Sequence, residues 1–280
     1  MVDAWSAASP LRWAAGFAGA GLIAGFAWRK RALSASGAWS AAAMGTGFFA
    51  LGGPFWYGLL LVFFTTSVFW TRWKRHARSK REAERHYAKT GRRDAGQVWA
   101  NGGIGLALCA AHAVWPEPWI AAAYVGVMAS VNADTWATEI GALSRTEPRS
   151  VLTGRTVPAG TSGGVTPLGT SAALAGAALI GLSAALLGGG DLTGFPAGVL
   201  ILLAAASGLA GATADSLLGA WQQAMYRCMV CGALTERPVH CGEPSLHAQG
   251  RRWMTNDLVN LLSSVVAGLL AVLAAALAAI

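Results

Sequence analysis

Charge is scarce in this chain by the standard of soluble proteins. Only 12% of its 280 residues are Asp, Glu, Lys or Arg, against about 25% in soluble domains. With 54% hydrophobic residues and a mean hydropathy of +0.46, a water-soluble globule is excluded and an integral membrane protein is indicated. The ten-residue alternation of a membrane barrel is missing as well, so the fold class is all-α. There is no G-x-x-x-x-G-K-[ST] phosphate loop. Nor is a signal peptide evident, because the cluster Arg29-Lys30-Arg31 follows the first apolar run and no small-residue cleavage site stands out.

Glycine, by contrast, is abundant. Thirty-six glycines and long alanine runs suit membrane helices whose backbones approach closely. Apolar runs near 10–28, 37–53, 54–71, 97–115, 118–142, 166–188, 195–225 and 257–280 predict about eight transmembrane helices, the second and third separated by Gly52-Gly53-Pro54. If the N-terminus lies outside, segments 29–36, 72–96, 143–165 and 226–256 are cytoplasmic and carry 20 of the 21 lysines and arginines. That distribution satisfies the positive-inside rule. It predicts one polytopic domain, residues 1–280, with both termini outside, in a bacterial inner (plasma) membrane.

From Arg72 to Arg93, within the cytoplasmic segment 72–96, the chain holds ten cations against Glu82 and Glu84. It fits attraction to anionic membrane lipids, and Arg92 and Arg93, next to the fourth helix, are placed to recruit an anionic substrate. No aromatic stacking platform accompanies the charge, so nucleic acid is not an expected partner. Asp94, Gln97, Asn101 and Gly105 then form one helical stripe. Thr65, Thr66, Ser67 and Thr71, at the end of the third run, are expected to back-bond to their own helix.

The stretch from Asn132 to Gly169 concentrates the remaining chemistry. Asn132, Asp134, Thr135 and Glu139 end an apolar run, and the glycine-rich loop Pro158-Ala159-Gly160-Thr161-Ser162-Gly163-Gly164 follows. Small residues in succession let backbone N–H groups gather around an anion. Asp134 and Glu139, five residues apart, sit about 140° around a regular helix. Either the helix breaks near Asp134, or Asp134 faces a second helix and Glu139 does not share its ion.

Gly208, Gly211, Asp215, Gly219 and Gln222 make a small-and-polar stripe that brings Asp215 to a helix contact near the same membrane face. A carboxylate there needs a metal, a cation or a proton. Cys228, Cys231 and Cys241, with His240 or His247 as a fourth ligand, have the residue types and the C-x2-C spacing of a structural zinc site. The last helix opens with Asn256, Asp257 and Asn260, where Asp257 serves either as an N-terminal cap or as part of a site. The polar ends of these helices converge on the cytoplasmic side, at a site for an anionic ligand with Mg²⁺.

These motifs, in this order, are Gln97 with Ala100-Asn101-Gly102-Gly103, then Asn132-Ala133-Asp134-Thr135 with Glu139-Ile140-Gly141. The loop Pro158 to Gly164 with Leu168-Gly169 follows, then Asp215-Ser216-Leu217-Leu218-Gly219-Ala220, Tyr226-Arg227-Cys228 with Cys231, and Asn256-Asp257 with Asn260. From about Ala32 to Gly268 the chain resembles the membrane-protein family known as domain of unknown function 92. That family includes chloroplast phytyl-phosphate kinases and vertebrate transmembrane protein 19. The resemblance implies transfer of a phosphoryl group from a nucleoside triphosphate, CTP, to an isoprenyl monophosphate. In that scheme Asp134, Glu139 and Asp215 bind Mg²⁺. Arg92, Arg93, Arg155 and the loop Gly160, Thr161, Ser162, Gly163 and Gly164 bind phosphates. Asn101, Asn132 and Asn256 orient them, with Gln222, Asp257 and Asn260 at the same site. Two other readings fit the residues: a cytidylyltransferase that forms a CDP-lipid, and a lipid-phosphate transporter.

Overall fold

The computed structural model describes residues 9–89 and 91–278. Each of the eight apolar runs forms a helix. In chain order the long helices are α1 (Pro10–Arg29), α2 (Ala35–Gly47), α3 (Pro54–Arg72), α5 (Ala95–Val114), α6 (Pro118–Gly141), α7 (Pro167–Leu186), α9 (Ala197–Trp221) and α10 (Asn256–Ala278). Two short helices, α4 (Arg78–Glu84) and α8 (Gly189–Thr193), lie between them. The spans Pro54–Arg72, Pro167–Leu186, Ala197–Trp221 and Asn256–Leu277 are long and apolar enough to cross a membrane. The expected positions of the two chain ends fall outside the described residues.

Local chemistry accounts for the boundaries. Proline opens α1, α3, α6 and α7, where its missing N–H costs nothing. Ser34, Asp94 and Thr166 cap α2, α5 and α7 by accepting from the N–H groups of Gly37, Gln97 and Gly169. At Asp94 the cap is reciprocal, because the Gln97 side chain accepts from the Asp94 N–H. After α2 the chain widens into a π turn, Phe48–Gly52, and Gly53 reverses it at φ 73°, a conformation open chiefly to glycine.

The centre of the bundle is α6. From Ile120 to Ala133 every residue is buried, with α3, α5, α7, α9 and α10 packed around it. Small residues make this possible. Gly208 lies on Ala129 and Ala177, Gly211 on Ser130 and Ala267, and Gly176 on the Trp136 ring. A Cβ on Gly126 would come within 2.6 Å of the Ala271 Cβ and 2.8 Å of the Ala267 carbonyl oxygen. Near the other end of α6, Tyr124 stacks on Trp56 at 4.4 Å between ring centroids and donates its hydroxyl proton to the Trp56 carbonyl. His112 and Cys109 also pack here, His112 against the Trp56 ring at 5.1 Å.

The fold is not wholly α-helical, because the polar segments between helices carry short strands. β1 (Arg149–Ser150) pairs with β2 (Gly164–Val165) and closes the glycine-rich loop into a hairpin. The Cys/His segment is a small β module rather than an open loop. Its β3 (Met225–Arg227) lies between β4 (Leu234–Thr235) and β7 (Leu246–Gln249), and β5 (Val239–His240) pairs with β6 (Glu243–Pro244). Hydrogen bonding explains the difference: at a helix end facing water, backbone groups need partners that apolar periodicity does not reveal.

The glycine contacts around α6 set an expected outcome. Gly126→Ala should destabilise the protein by about 1–3 kcal/mol through overpacking. Gly19→Ala, where no atom lies within 4 Å of the added Cβ, should leave stability unchanged or raise it by up to about 1 kcal/mol. Thermal unfolding of both variants in detergent compares them.

Candidate active site and metal cluster

The interhelical segments at one end of the bundle assemble into a polar cap. Residues 84–88 lie along residues 234–237 of the β module. The N–H of Glu236 and the hydroxyl of Thr235 both donate to the His86 carbonyl, at 2.9 and 3.0 Å. The Ala88 N–H donates to the Glu236 carboxylate at 2.9 Å, and Arg237 Nε to the Tyr87 carbonyl at 2.7 Å. On the other side of the cap, Gly160 rests on the Ala83 backbone and Gly163 on Ser216 and Ala220 of α9. Both glycines have positive φ, 83° and 75°, so conformation and packing alike demand them.

Beneath this cap lies a cavity of about 950 Å³. Its walls bring together Asp134, Glu139, Asp215, Arg93, Asn101, Gly160, Thr161, Ser162, Gly163, Gly164, Asn256, Asp257 and Asn260. Several expected residues lie elsewhere. Arg92 and Arg155 are exposed, outside the cavity lining. Gln222 also lies outside the lining; α9 ends at Trp221, and it is Gln223 that turns inward. Asn132 is fully buried a turn deeper and serves the packing. It donates to the Gly176 carbonyl at 2.7 Å and accepts from the Thr66 hydroxyl at 3.0 Å.

Helix α6 runs unbroken through Asp134 and Glu139, so the two carboxylates diverge as helical geometry requires. Glu139 is already committed. It accepts from Lys80 Nζ at 2.8 Å and from the Thr71 hydroxyl at 2.7 Å. Lys80, on α4 and 2% exposed, donates in addition to the Trp70 carbonyl at 2.7 Å. Asp134 and Asp215 form no ion pair with a lysine or arginine among the described residues. Ser263 donates to Asp215 at 3.1 Å, and Asn260, next to it on α10, lies 3.4 Å from Asn101.

Cations edge the cavity at several points. Arg93 donates to Ser67 and Thr71, at 2.6 and 3.1 Å, so the hydroxyls ending α3 bond back to their own helix and also across the site. Lys89 ties Asp94, the cap of α5, to Asp257 on the first turn of α10. Although burial opposes its charge, the hydrogen bonds to Asp257 and Asp94 raise its pKa. Burial raises the pKa of Tyr87 and Glu236, both in the cavity wall. Free donors are present too. The N–H groups of Gly160, Ser162 and Gly163 have no hydrogen-bond acceptor among the described residues. The buried Gln223 accepts from the Ser162 hydroxyl at 3.0 Å while its Nε2 is left without a partner.

Sequence reasoning passed over Lys80, Lys89, Tyr87, Gln223 and Glu236. Lys80 is one of ten cations in its segment, and only the docking of α4 distinguishes it. For Glu236 and Gln223 no signal was available, since each depends on where the chain leaves a helix or strand.

The β module gathers a second cluster. Ligand atoms of Cys228, Cys231, His240 and Cys241 all lie within 4.8 Å of one another and could hold a metal ion. Cys228 and Cys231 flank the β3–β4 turn, and His240 and Cys241 the β5–β6 turn. Gly232 and Gly242, both at positive φ, let each turn close. His240 Nδ1 lies 3.5 Å from Cys231 Sγ and 3.3 Å from Cys241 Sγ. A hydrogen bond from the Cys231 N–H lowers the Cys228 thiol to about 6. His247 is not in the cluster; β7 places it opposite Tyr226, with ring centroids 5.6 Å apart.

Comparison with known proteins supplies the context. The family model described as "Integral membrane protein DUF92" matches residues 18–268. "Protein PGR" of Arabidopsis thaliana is 31% identical over 270 residues, covering 89% of this chain and 91% of its own length. An uncharacterised membrane protein of Methanocaldococcus jannaschii is 34% identical over 176 residues, 63% of this chain and 60% of its own. No solved structure matches.

The Lys80–Glu139 pair has a measurable signature. Lys80→Met should cost about 3–5 kcal/mol by stranding Glu139. Adding Glu139→Gln should recover much of that loss. A double-mutant cycle by thermal unfolding in detergent would show additive losses if the pair were not coupled.

Proposed function

The chain belongs to the DUF92 family of integral membrane proteins, and on that premise we propose that it is a phosphotransferase. It moves a phosphoryl group from a nucleoside triphosphate, CTP, to an isoprenyl monophosphate, and the cavity at the polar end of the bundle is its active site. The observation that carries this reading is the meeting, in one cavity, of unpaired carboxylates, cations that include the buried Lys80, and unused backbone donors. That end is cytoplasmic in the proposed topology of eight spans with both termini outside, which gathers 20 of 21 lysines and arginines on the inner side of the plasma membrane.

Asp134 and Asp215 are the proposed Mg²⁺ ligands. Two carboxylates facing one cavity without a lysine or arginine partner form the hard-oxygen donor set that ion prefers. Held by Asp134 and Asp215, Mg²⁺ would supply positive charge to offset the negative charge of the phosphates during transfer. The protein does the rest by positioning. Free N–H groups of Gly160, Ser162 and Gly163 hold phosphate oxygens. Arg93 and Lys89 supply positive charge from two sides. Asn101, Asn256 and Asn260 orient the acceptor. Glu139 acts through Lys80, fixing its ammonium at the cavity wall. An acceptor phosphate is already nucleophilic, so no strong general base is required. Transport is less well supported, because α6, α9 and α10 are continuous and the polar groups gather at one end rather than midway.

We further propose that Cys228, Cys231, His240 and Cys241 bind a structural zinc ion. Three thiolates and one imidazole would supply the four donors of a structural zinc site.

Purified protein with Mg²⁺, labelled CTP or ATP and geranylgeranyl monophosphate tests the activity, with mass spectrometry of the lipid product. The expected product is the prenyl diphosphate with the matching nucleoside diphosphate. A CDP-lipid with pyrophosphate would replace kinase chemistry with cytidylyl transfer. Asp134→Asn and Asp215→Asn should each abolish turnover in folded protein; wild-type rates in both would remove the metal assignment. For zinc, elemental analysis should find one equivalent per chain, lost in His240→Ala and kept in His247→Ala.

A further inference from the structure

Two neighbouring helices, α7 and α9, pack closely only over part of their length. Far from the cap, Gly181 lies on Leu200, Ile201 and Ala204, and Gly208 lies on Ala177. Over the next two turns toward the cap the pattern changes. Ala173 and Thr170 of α7, and Leu209, Ala212 and Thr213 of α9, line the same cavity as Asp134 and Asp215. The glycine hairpin then closes the space again, where Gly163 meets Ser216 and Ala220, and Gly219 meets Ser162. Between those two seals the wall of the cavity is a window.

The window lies on the bilayer side of the bundle. Both helices are long and apolar enough to cross a membrane. Thr213 shares a stripe of α9 with the exposed Leu202, Ala206 and Leu217, spaced 4, 7 and 4 residues apart. Thr170 is exposed, as is Leu174 one turn further along α7. Such outward faces are the ones lipid covers, yet both threonines also line the cavity. Counted from the cap ends of the two helices, the lining positions lie about 5–18 Å in. That is the depth of one leaflet of a hydrocarbon core about 30 Å thick.

The lining here suits hydrocarbon. Within the long helices, the apolar side chains facing the cavity are Ala137, Ala173, Leu209 and Ala212. Helices α5 and α10 contribute Gln97, Asn101, Asn256, Asp257 and Asn260 instead. The Thr170 and Thr213 hydroxyls donate to the Thr166 and Leu209 carbonyls of their own helices, at 3.1 and 2.8 Å. A hydrocarbon can therefore cross the window without leaving a polar group unpaired.

We propose that the α7–α9 window is the lateral entrance for a lipid phosphate. The headgroup sits in the cavity, and the hydrocarbon chain passes between Thr170, Ala173, Ala212 and Thr213 into the adjoining leaflet. The inference rests on reading the cavity as a lipid-phosphate site, and it adds the route and a rule of selection. The wall is one helix deep, about 10 Å, so the protein grips only the first carbons of the chain. Most of the chain stays in the bilayer, and its length goes unmeasured.

The test is photolabelling of the full chain in nanodiscs by geranylgeranyl monophosphate carrying a diazirine in the isoprene unit next to the phosphate. Labelled peptides should come from α7 and α9, around Thr170, Ala173 and Thr213. Excess geranylgeranyl monophosphate should compete, and geranylgeraniol, which lacks the phosphate, should not. At equal mole fraction in the bilayer, fifteen- and twenty-carbon monophosphates should compete within about twofold of each other, whereas a pocket enclosing the tail would separate them by about tenfold or more. Thr213→Phe, which fills the window, should weaken competition by about tenfold, and Thr213→Val, of similar size, should leave it unchanged. Labelling confined to other helices, labelling that nothing competes, or no labelling overturns the proposal. So does strong discrimination by chain length. Turnover with labelling elsewhere would keep the phosphotransferase and remove the window. Competable labelling at the window without turnover would keep the lipid route and remove phosphoryl transfer.

Discussion

A helix buried on every side can carry ionisable groups only where its neighbours stop being apolar, and α6 is built to that constraint. Its glycine and alanine contacts with α7, α9 and α10 hold the surrounding helices close enough to exclude other occupants over fourteen consecutive residues, Ile120 to Ala133. The first carboxylate appears at Asp134, immediately after that buried stretch. Because the packing fixes the rotation of α6, it also fixes which way Asp134 and Glu139 point. Asp134 takes the cavity shared with Asp215. Glu139 takes Lys80 and Thr71, a pairing that satisfies both charges where water has limited access.

The polar cap serves this arrangement from outside the bundle. Lys80 can reach Glu139 because α4 is docked, and α4 is docked on one side against Gly160. The following segment is held by residues 234–237 of the β module. That module stands on two turns whose cysteines and histidine meet within 4.8 Å. The cluster and the cavity are therefore successive layers of one structure. The turns that carry the cysteines and histidine join the strands, the strands hold residues 84–88, and those residues lie between Lys80 and Lys89, the two lysines paired with acidic groups.

How much of this could be read from the sequence differs from place to place. Helices were legible because prolines and apolar runs mark them directly, and the break at Gly52-Gly53-Pro54 appears where the sequence puts it. Asp94 and Gln97, recognisable as a stripe, turn out to be a capping box, which has the same spacing. The meeting of Asp134, Asp215 and the glycine loop in one cavity follows from helix ends falling on one side. What was not legible depends on register and termination. His240 and His247 are equally plausible ligands until strand pairing sets His247 against Tyr226. Gln222 continues the stripe from Gly219 only while the helix continues, and it stops one residue earlier. Asn132 shares a face with Glu139 but sits too deep to reach the cavity.

The pairing of residues 84–88 with residues 234–237 joins points about 150 positions apart in the chain. Contacts so distant in sequence form late, after the cost of closing the intervening loop has been met. During synthesis the first helices and the basic segment emerge long before the β module exists. Lys80 must wait on α6 for Glu139, and the segment after it must wait for strands that follow α9. The site is therefore assembled by the last quarter of the chain, and a truncated or stalled product that had inserted most of its helices would still lack the layer that closes the cavity.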